Sequence, residues 1–484
     1  MKVCSLYGAG FYYMPGTDMC IKIGGWVRAE VAAETNGSFG GANPGADFAN
    51  TNSRATNYIG ARARGYITAD AREQTAYGVA RGYIDVGNNT TVTDGGTPNG
   101  TSNANFSSNR AFVQWAGFTA GLSVSFFDFY PAAAQNYRAG YLPTEDTGDG
   151  GWWIWAYTAQ FGGGVSATLS AEERRNTIIF DDAGVRAAAA MSQIGQNGDA
   201  LGGWDSPDIV ANLRVDQAWG SAQIMGALHQ DNEMYYGSTA SAASTAACPN
   251  TAGCVTAGRP DQAWGWVVGG GIKINTPFVS PGDYFVAEAN YTEGATRYLF
   301  NSGGTTFNNV QGGTEGYGLT TDCVYGGTAP AVGAAAALTT NCHLTTGWSA
   351  VASYEHYWTP QWHQDVTGGY MQIMYDSASN AMLCQAEGQG GAAPGSGAVA
   401  AAGCNNNWGY WGAGSRLQWD ITKSFYIGVE ALYSQVVSAQ SATGFVPTPI
   451  ALGGPTVCAN ASVCSVHDEG NWAFTLRMHK DFLP

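Results

Sequence analysis

Apolar and polar side chains alternate with a period of two along almost the whole chain, and no stretch carries a convincing helical period. In the first such stretch Ile21, Ile23, Val27, Ala29 and Val31 share one face, while Lys22, Trp26, Arg28 and Glu30 share the other. The next repeats the pattern, with Ile59, Ala61, Ala63, Ile67 and Ala69 opposed by Arg62, Arg64, Thr68 and Asp70. The alternation predicts sixteen strands, near 20–34, 56–71, 75–86, 109–119, 121–129, 152–161, 165–174, 208–217, 221–231, 264–275, 284–292, 347–358, 362–375, 409–420, 425–435 and 471–482.

The connections alternate as regularly as the side chains. Short ones fall at 71–74, 119–121, 162–164, 219–220, 276–282, 359–361 and 421–423; between them lie eight long, polar, Gly-rich ones, including 293–345 and 376–407. All the tight turns therefore belong at one end of the sheet and all the long loops at the other, as an up-and-down meander requires. Pairing the last strand with the first leaves no sheet edge. The expected fold class is all-β: a 16-stranded antiparallel transmembrane β-barrel with short turns on the periplasmic side and long external loops, forming one domain over 1–484. Trp219, Trp358, Trp362, Trp419, Phe118, Phe161 and Phe425 flank the short turns, where an interfacial girdle belongs. No run of about 18 apolar residues offers a membrane helix.

Composition narrows the function. The chain has 484 residues, 68 of them Gly, with 12% aromatic and only 12% charged residues, and a formal charge of −16. Nucleic acid is not a natural electrostatic partner. Ten cysteines fall into five sequential neighbours, Cys4/Cys20, Cys248/Cys254, Cys323/Cys342, Cys384/Cys404 and Cys458/Cys464. None has metal-site spacing such as C-x-x-C, so loop-closing disulfides in an oxidising compartment account for them better than free thiols. The six histidines are mostly dispersed, and no nucleophile-elbow, zinc-protease or phosphate-cradling motif occurs. Gly269-Gly270-Gly271 lacks a strand-turn-helix context. His356 and His363, with Glu355 and Asp365, bracket one short turn, as a metal site or as interfacial polar residues. Neither catalysis nor a cofactor or resident metal is expected.

One set of residues carries a family resemblance: Lys2-Val3-Cys4, then Tyr7-Gly8-Ala9-Gly10-Phe11-Tyr12-Tyr13-Met14-Pro15-Gly16-Thr17, then Cys20-Ile21-Lys22-Ile23-Gly24-Gly25-Trp26-Val27-Arg28. This closely resembles the N-terminal signature of the alphaproteobacterial porins, and Ser125-Phe126-Phe127-Asp128-Phe129 and a final strand ending near Phe482 are similar to that family as well. The resemblance implies a general diffusion porin in the outer membrane of a Gram-negative bacterium, assembled as a homotrimer, with the third long loop folded into the lumen. It also implies that residues precede Met1 in the mature chain. Outer-membrane lipid, lipopolysaccharide, and small hydrophilic solutes and ions are the expected partners. The small lipid-side residues Gly25, Ala29, Ala61, Ala63 and Ala69 permit close contact between protomers.

Strand parity then suggests the pore chemistry. Arg28, Arg62, Arg64, Arg81 and Arg477 fall on polar faces of the first three strands and the last, which closure makes neighbours, and Arg110 joins them near the upper end. An arginine on the lipid face at the midplane costs about 2–4 kcal/mol, which favours an inward basic wall. Lys480 is the exception, sharing a face with Trp472, Phe474, Leu476 and Met478 near the turn end. The connection 130–151 holds Glu145, Asp146 and Asp149 against a single Arg138. Folded inward, it opposes the basic wall across a constriction; left outside, it is a solvated loop. Residues 1–19 form a periplasmic clasp closed by Cys4/Cys20. Two other readings stay open: a ligand-specific channel on the same barrel, with Trp152, Trp153 and Trp155 in an aromatic track, and a secreted β-rich binding protein.

Overall fold

The computed structural model describes residues 3–34, 51–52, 58–92, 105–129, 136–137, 142–143, 150–175, 177–181, 201–233, 261–300, 306–311, 314–325, 342–386, 403–440 and 465–482. Sixteen long strands form the wall: β1 (Cys20–Glu34), β2 (Ile59–Thr75), β3 (Gly78–Val92), β4 (Asn105–Trp115), β5 (Phe118–Ser123), β6 (Trp152–Gly162), β7 (Val165–Glu172), β8 (Asp208–Gln217), β9 (Gly220–Asp231), β10 (Ala263–Asn275), β11 (Tyr284–Glu293), β12 (Thr346–Tyr357), β13 (Trp362–Met374), β14 (Trp408–Thr422), β15 (Phe425–Val437) and β16 (Glu469–Asp481). Each pairs antiparallel with its chain neighbours, and β1 pairs with β16 from Trp26↔Asp481 to Glu34↔Ala473, which closes the barrel.

The wall is apolar outside and polar inside. Along β16, Trp472, Phe474, Leu476 and Met478 are each 44–51% exposed, whereas Asn471, Thr475, Arg477 and His479 between them are buried. That inversion suits a hydrocarbon exterior and a polar interior. Trp219, Trp358, Trp362 and Trp419 are exposed beside the short turns, and Trp362 stacks on Trp419 across β13 and β14. Lys480 is also exposed, and its Nζ donates to Ser424 Oγ at 2.6 Å in the β14–β15 turn.

Two expected turns move. The first hairpin turns at Ala76–Tyr77 and not at 71–74, because Arg72 continues the ladder opposite Arg81 and chelates the lumen-side Asp70. The second turns at Ala116–Gly117, where both residues have positive φ (51° and 89°), as a two-residue hairpin requires. Gly121 is a strand residue: a Cβ there would sit 2.4 Å from the Ala111 carbonyl oxygen. The strand expected over 121–129 stops at Ser123. Beyond it Phe127 and Phe129 are buried inside the barrel, held through the carbonyl oxygens of Phe126 and Phe129 by Asn212 Nδ2 (2.7 Å) and Arg214 Nη1 (2.9 Å). Gly271 leaves the space Phe129 occupies, since a Cβ there would lie 2.2 Å from the ring.

Loop segments fill part of the loop end. Ile178–Asp181 pairs in parallel with Thr321–Tyr325, which pairs with Cys342–Leu344. Phe180, Leu299 and Tyr317 join Met371, Trp408 and Val436 of the wall in one apolar core. Disulfides join Cys4–Cys20, Cys323–Cys342 and Cys384–Cys404. Cys248, Cys254, Cys458 and Cys464 lie outside the described residues.

Candidate functional site: the barrel lumen

Around the seam the inward positions of β16, β1 and β2 form two rows. His479, Arg28 and Arg64 lie level in one; Arg477, Glu30 and Arg62 lie level in the next. Glu30, fully buried, accepts from Arg62 Nε and Arg477 Nε, both at 2.6 Å, so two guanidinium groups share one carboxylate. Arg28 donates to His479 Nδ1 (3.3 Å) and stands 4.7 Å over the Trp26 ring, which Arg64 also faces at 5.4 Å. Arg81 belongs to a separate layer nearer the turns, bound to Asp70 and to Gln114 Oε1 (2.9 Å). Arg110 pairs in register with Asp85 and donates to the Asn109 carbonyl oxygen at 2.6 Å.

The connection after β5 crosses to this wall. The Tyr137 backbone N–H donates to Glu430, its hydroxyl to Gln418 Oε1 (2.9 Å), and its carbonyl oxygen accepts from Arg477 Nη2 (2.9 Å). Its ring lies between Arg477 at 4.0 Å and Arg416 at 5.5 Å. Burial pushes the Tyr137 hydroxyl well above its ordinary pKa, so it stays a donor. Further along, Leu142 packs on Val351 of β12. Arg138, Glu145, Asp146 and Asp149 lie outside the described residues.

Five rings follow one another along the lumen wall. Tyr66 stacks on Trp26 (4.8 Å), Trp26 on His479 (5.5 Å), His479 on Tyr426 (4.9 Å) and Tyr426 on Tyr137 (6.3 Å). Trp26 and Glu30 share the Arg28 face in the sequence, so parity alone carried the signal for them. The Tyr137 and Tyr426 partnership had none, because it depends on where a loop lands. Of the three tryptophans considered for a track, Trp153 and Trp155 point outward, 38% and 60% exposed, and Trp152 lies 5.5 Å from Arg175 instead. His356 and His363 do not share a site. His356 Nδ1 meets Asp283 at 2.7 Å, whereas His363 pairs with Glu355 and, at 3.4 Å, with Asp420. Among the described residues the one grouping with metal-ligand geometry is His229, Asp231 and Asp322, which the sequence reading passed over.

A closed antiparallel wall, apolar outside and polar within, with both chain ends at the turn side and a loop reaching into the lumen, defines a channel-forming barrel of the bacterial outer membrane. The sequence profile of a porin subfamily (Porin_2) matches residues 1–452, and the chain belongs to that family. It is similar to porin Omp2a of Brucella melitensis, 28% identical over 57% of this chain and 72% of that one. Porin Omp2b of Brucella suis is 23% identical over 56% and 71%. Among solved structures, the outer membrane channel DcaP of Acinetobacter baumannii shares the fold at a TM-score of 0.57, covering 97% of this chain and 99% of its own at 13% identity. The protein is thus an outer-membrane porin of a Gram-negative bacterium, a general diffusion channel.

Proposed function

We propose that solutes pass a constriction between the seam wall and the connection 130–151. Arg28, Arg62, Arg64 and Arg477 form its basic side, with Arg81 continuing the positive charge toward the turns and Arg110 on the flank. Glu145, Asp146 and Asp149 form the acidic side, so the field runs across the pore and orients dipolar solutes. The observation that carries this reading is Tyr137, held by Arg477 and Glu430 on the wall opposite the loop's origin. No catalytic step is assigned. Residues 1–19 act as a periplasmic clasp, where Arg72 faces the Phe11 ring at 5.0 Å. The barrel sits in lipid and lipopolysaccharide as a homotrimer, each protomer with its own pore.

Planar-bilayer conductance tests this. Ohmic insertions closing in three equal steps are the expected result for a trimer of open pores, and Asp146→Lys should move the reversal potential toward anions. Unchanged reversal potentials would remove the acidic side from the constriction.

The ligand-specific channel remains a second reading, favoured by the run of five stacked rings beside Arg28 and Arg64. Planar solutes could stack there. Current blocked by a planar aromatic anion, and relieved by Trp26→Ala, is the outcome that would select it.

A further inference from the structure

On the far side of the barrel from the seam, at the loop end of β9, three side chains from two elements converge. His229 and Asp231 come from the strand, Asp322 from the inserted segment Thr321–Tyr325, and one ligand atom from each lies within 4.8 Å of the others. All three are buried. His229 is already oriented: its Nδ1 lies 2.9 Å from Asp208 Oδ1, and the other oxygen of Asp208 accepts from the Tyr298 hydroxyl (2.8 Å) and the Arg175 backbone N–H (3.0 Å). An imidazole that donates Nδ1–H to a fixed carboxylate presents the Nε2 lone pair, the arrangement by which second-shell acids prepare a histidine ligand.

What Nε2 faces is the informative part. Asp231 Oδ1 lies at 3.9 Å and Asp322 Oδ2 at 3.8 Å, too far for either to take a hydrogen bond from the ring. Asp322 is otherwise fixed, accepting from the backbone N–H groups of Thr177 and Thr296, both at 2.7 Å. Asp231 is not: among the described residues neither of its carboxylate oxygens has a hydrogen-bond partner, although the residue is 0% exposed. Arg174 is in electrostatic range of it, and its Nη2 donates to the Gly202 carbonyl oxygen at 3.0 Å. A Cβ on Gly294 would approach Asp231 Oδ2 to 2.9 Å, so the carboxylate has been given close backbone on that side and open geometry toward His229. Burying a carboxylate with nothing to bind, ionised or neutral, is costly for a protein.

We infer that His229 Nε2, Asp231 and Asp322 bind a divalent first-row transition-metal ion of the zinc type. Ligand separations of 3.8 and 3.9 Å are wider by about half an ångström than the edge of a tetrahedron with zinc–ligand bonds near 2.1 Å, roughly 3.4 Å, so binding an ion would draw the Asp231 and Asp322 oxygens a short way toward His229 Nε2. The imidazole donor disfavours calcium and magnesium, which take oxygen ligands. The ion would join the inserted segment Thr321–Tyr325 to the barrel wall, making the packing of the loops at the mouth sensitive to chelators.

The test uses the full folded protein in detergent, stripped with EDTA and titrated with Zn²⁺ alone. Retention of a single zinc per chain after desalting is the expected result, with a higher thermal unfolding temperature than the stripped protein; Asp231→Asn should lose both effects while remaining a heat-modifiable barrel on a semi-native gel. Equal zinc uptake by Asp231→Asn, or none by the unaltered chain, would overturn the site and leave a protonated imidazole between two acids. Co²⁺ gives a readout needing no variant: visible d–d absorption of a four- or five-coordinate N/O site supports it, and a spectrum of aqueous Co²⁺ refutes it.

Discussion

The lumen holds two charged clusters, one on the seam wall and one in chain inserted on the far side, that use the same residue types differently. At the seam, Glu30 is shared by Arg62 and Arg477, and Arg62 keeps 15% of its side-chain surface accessible. On the far side, in the chain just past β5 and β7, Arg175 and Asp128 pair at 2.6 Å with 1% and 0% accessible, and nearby Asp208 and Asp322 accept the backbone N–H groups of Arg175 and Thr177. Phe127 and Tyr298 flank the Arg175 guanidinium there. Both clusters hold a loop, the seam through Arg477 and Tyr137, but the seam leaves part of the Arg62 guanidinium accessible while Arg175 is sealed in.

The sharpest way to break that contrast is stability. Arg175→Ala strands the buried Asp128 carboxylate and should cost about 3–5 kcal/mol, read as a lower unfolding temperature on semi-native gels. Arg62→Ala leaves Glu30 with Arg477 and should cost clearly less; equal losses would abolish the distinction. Tyr137→Ala comes next. It removes the hydroxyl bond to Gln418 and the ring between two guanidinium groups, worth roughly 1–3 kcal/mol together, and single-channel conductance should rise as the loop loosens. Glu30→Gln is milder for the fold but direct for function: it leaves the two arginines unneutralised, so the reversal potential should move toward anions.

The smallest effect lies at the turn end. Asp283 is held below the usual carboxylate range: burial alone would raise it, but the N–H of Tyr357 and the side chains of His356 and Tyr354 outweigh that. A depressed folded pKa gives stability that is fully present above the unfolded value, about 3.9, and lost as pH falls through the folded one. Asp283→Asn should therefore lower the unfolding temperature at neutral pH, and the gap from the unaltered protein should vanish on strong acidification.

Side-chain parity made most of the barrel legible, because a strand between lipid and water must alternate whatever its neighbours do. It placed Arg28, Arg62, Arg64 and Arg477 on one wall face together with Glu30 and Trp26. Parity does not locate a turn, though. Gly121 resembles turn chemistry, yet its missing Cβ serves close strand contact, while Ala116 takes the left-handed conformation that the hairpin needs. Nor does parity reach the loops. Ser125-Phe126-Phe127-Asp128-Phe129 alternates like a strand, but its partners are Asn212 and Arg214, 86 and 85 positions further on, and Gly271 further still. The buried meeting of His229 with Asp322 was invisible for the same reason: 93 residues of chain separate them, and no local pattern spans that distance.

Closure of the barrel has a temporal side. Glu30 and Arg477 are 447 positions apart, on the first and last strands to be synthesised. The central ion cluster of the basic wall cannot exist in a nascent or half-zipped sheet. A chain arrested before its ends meet has neither a sealed wall nor Arg477 beside Glu30, so the seam that completes the cylinder also completes its charge pattern. The sealed wall and its seam ion cluster are therefore acquired in the same final step of assembly.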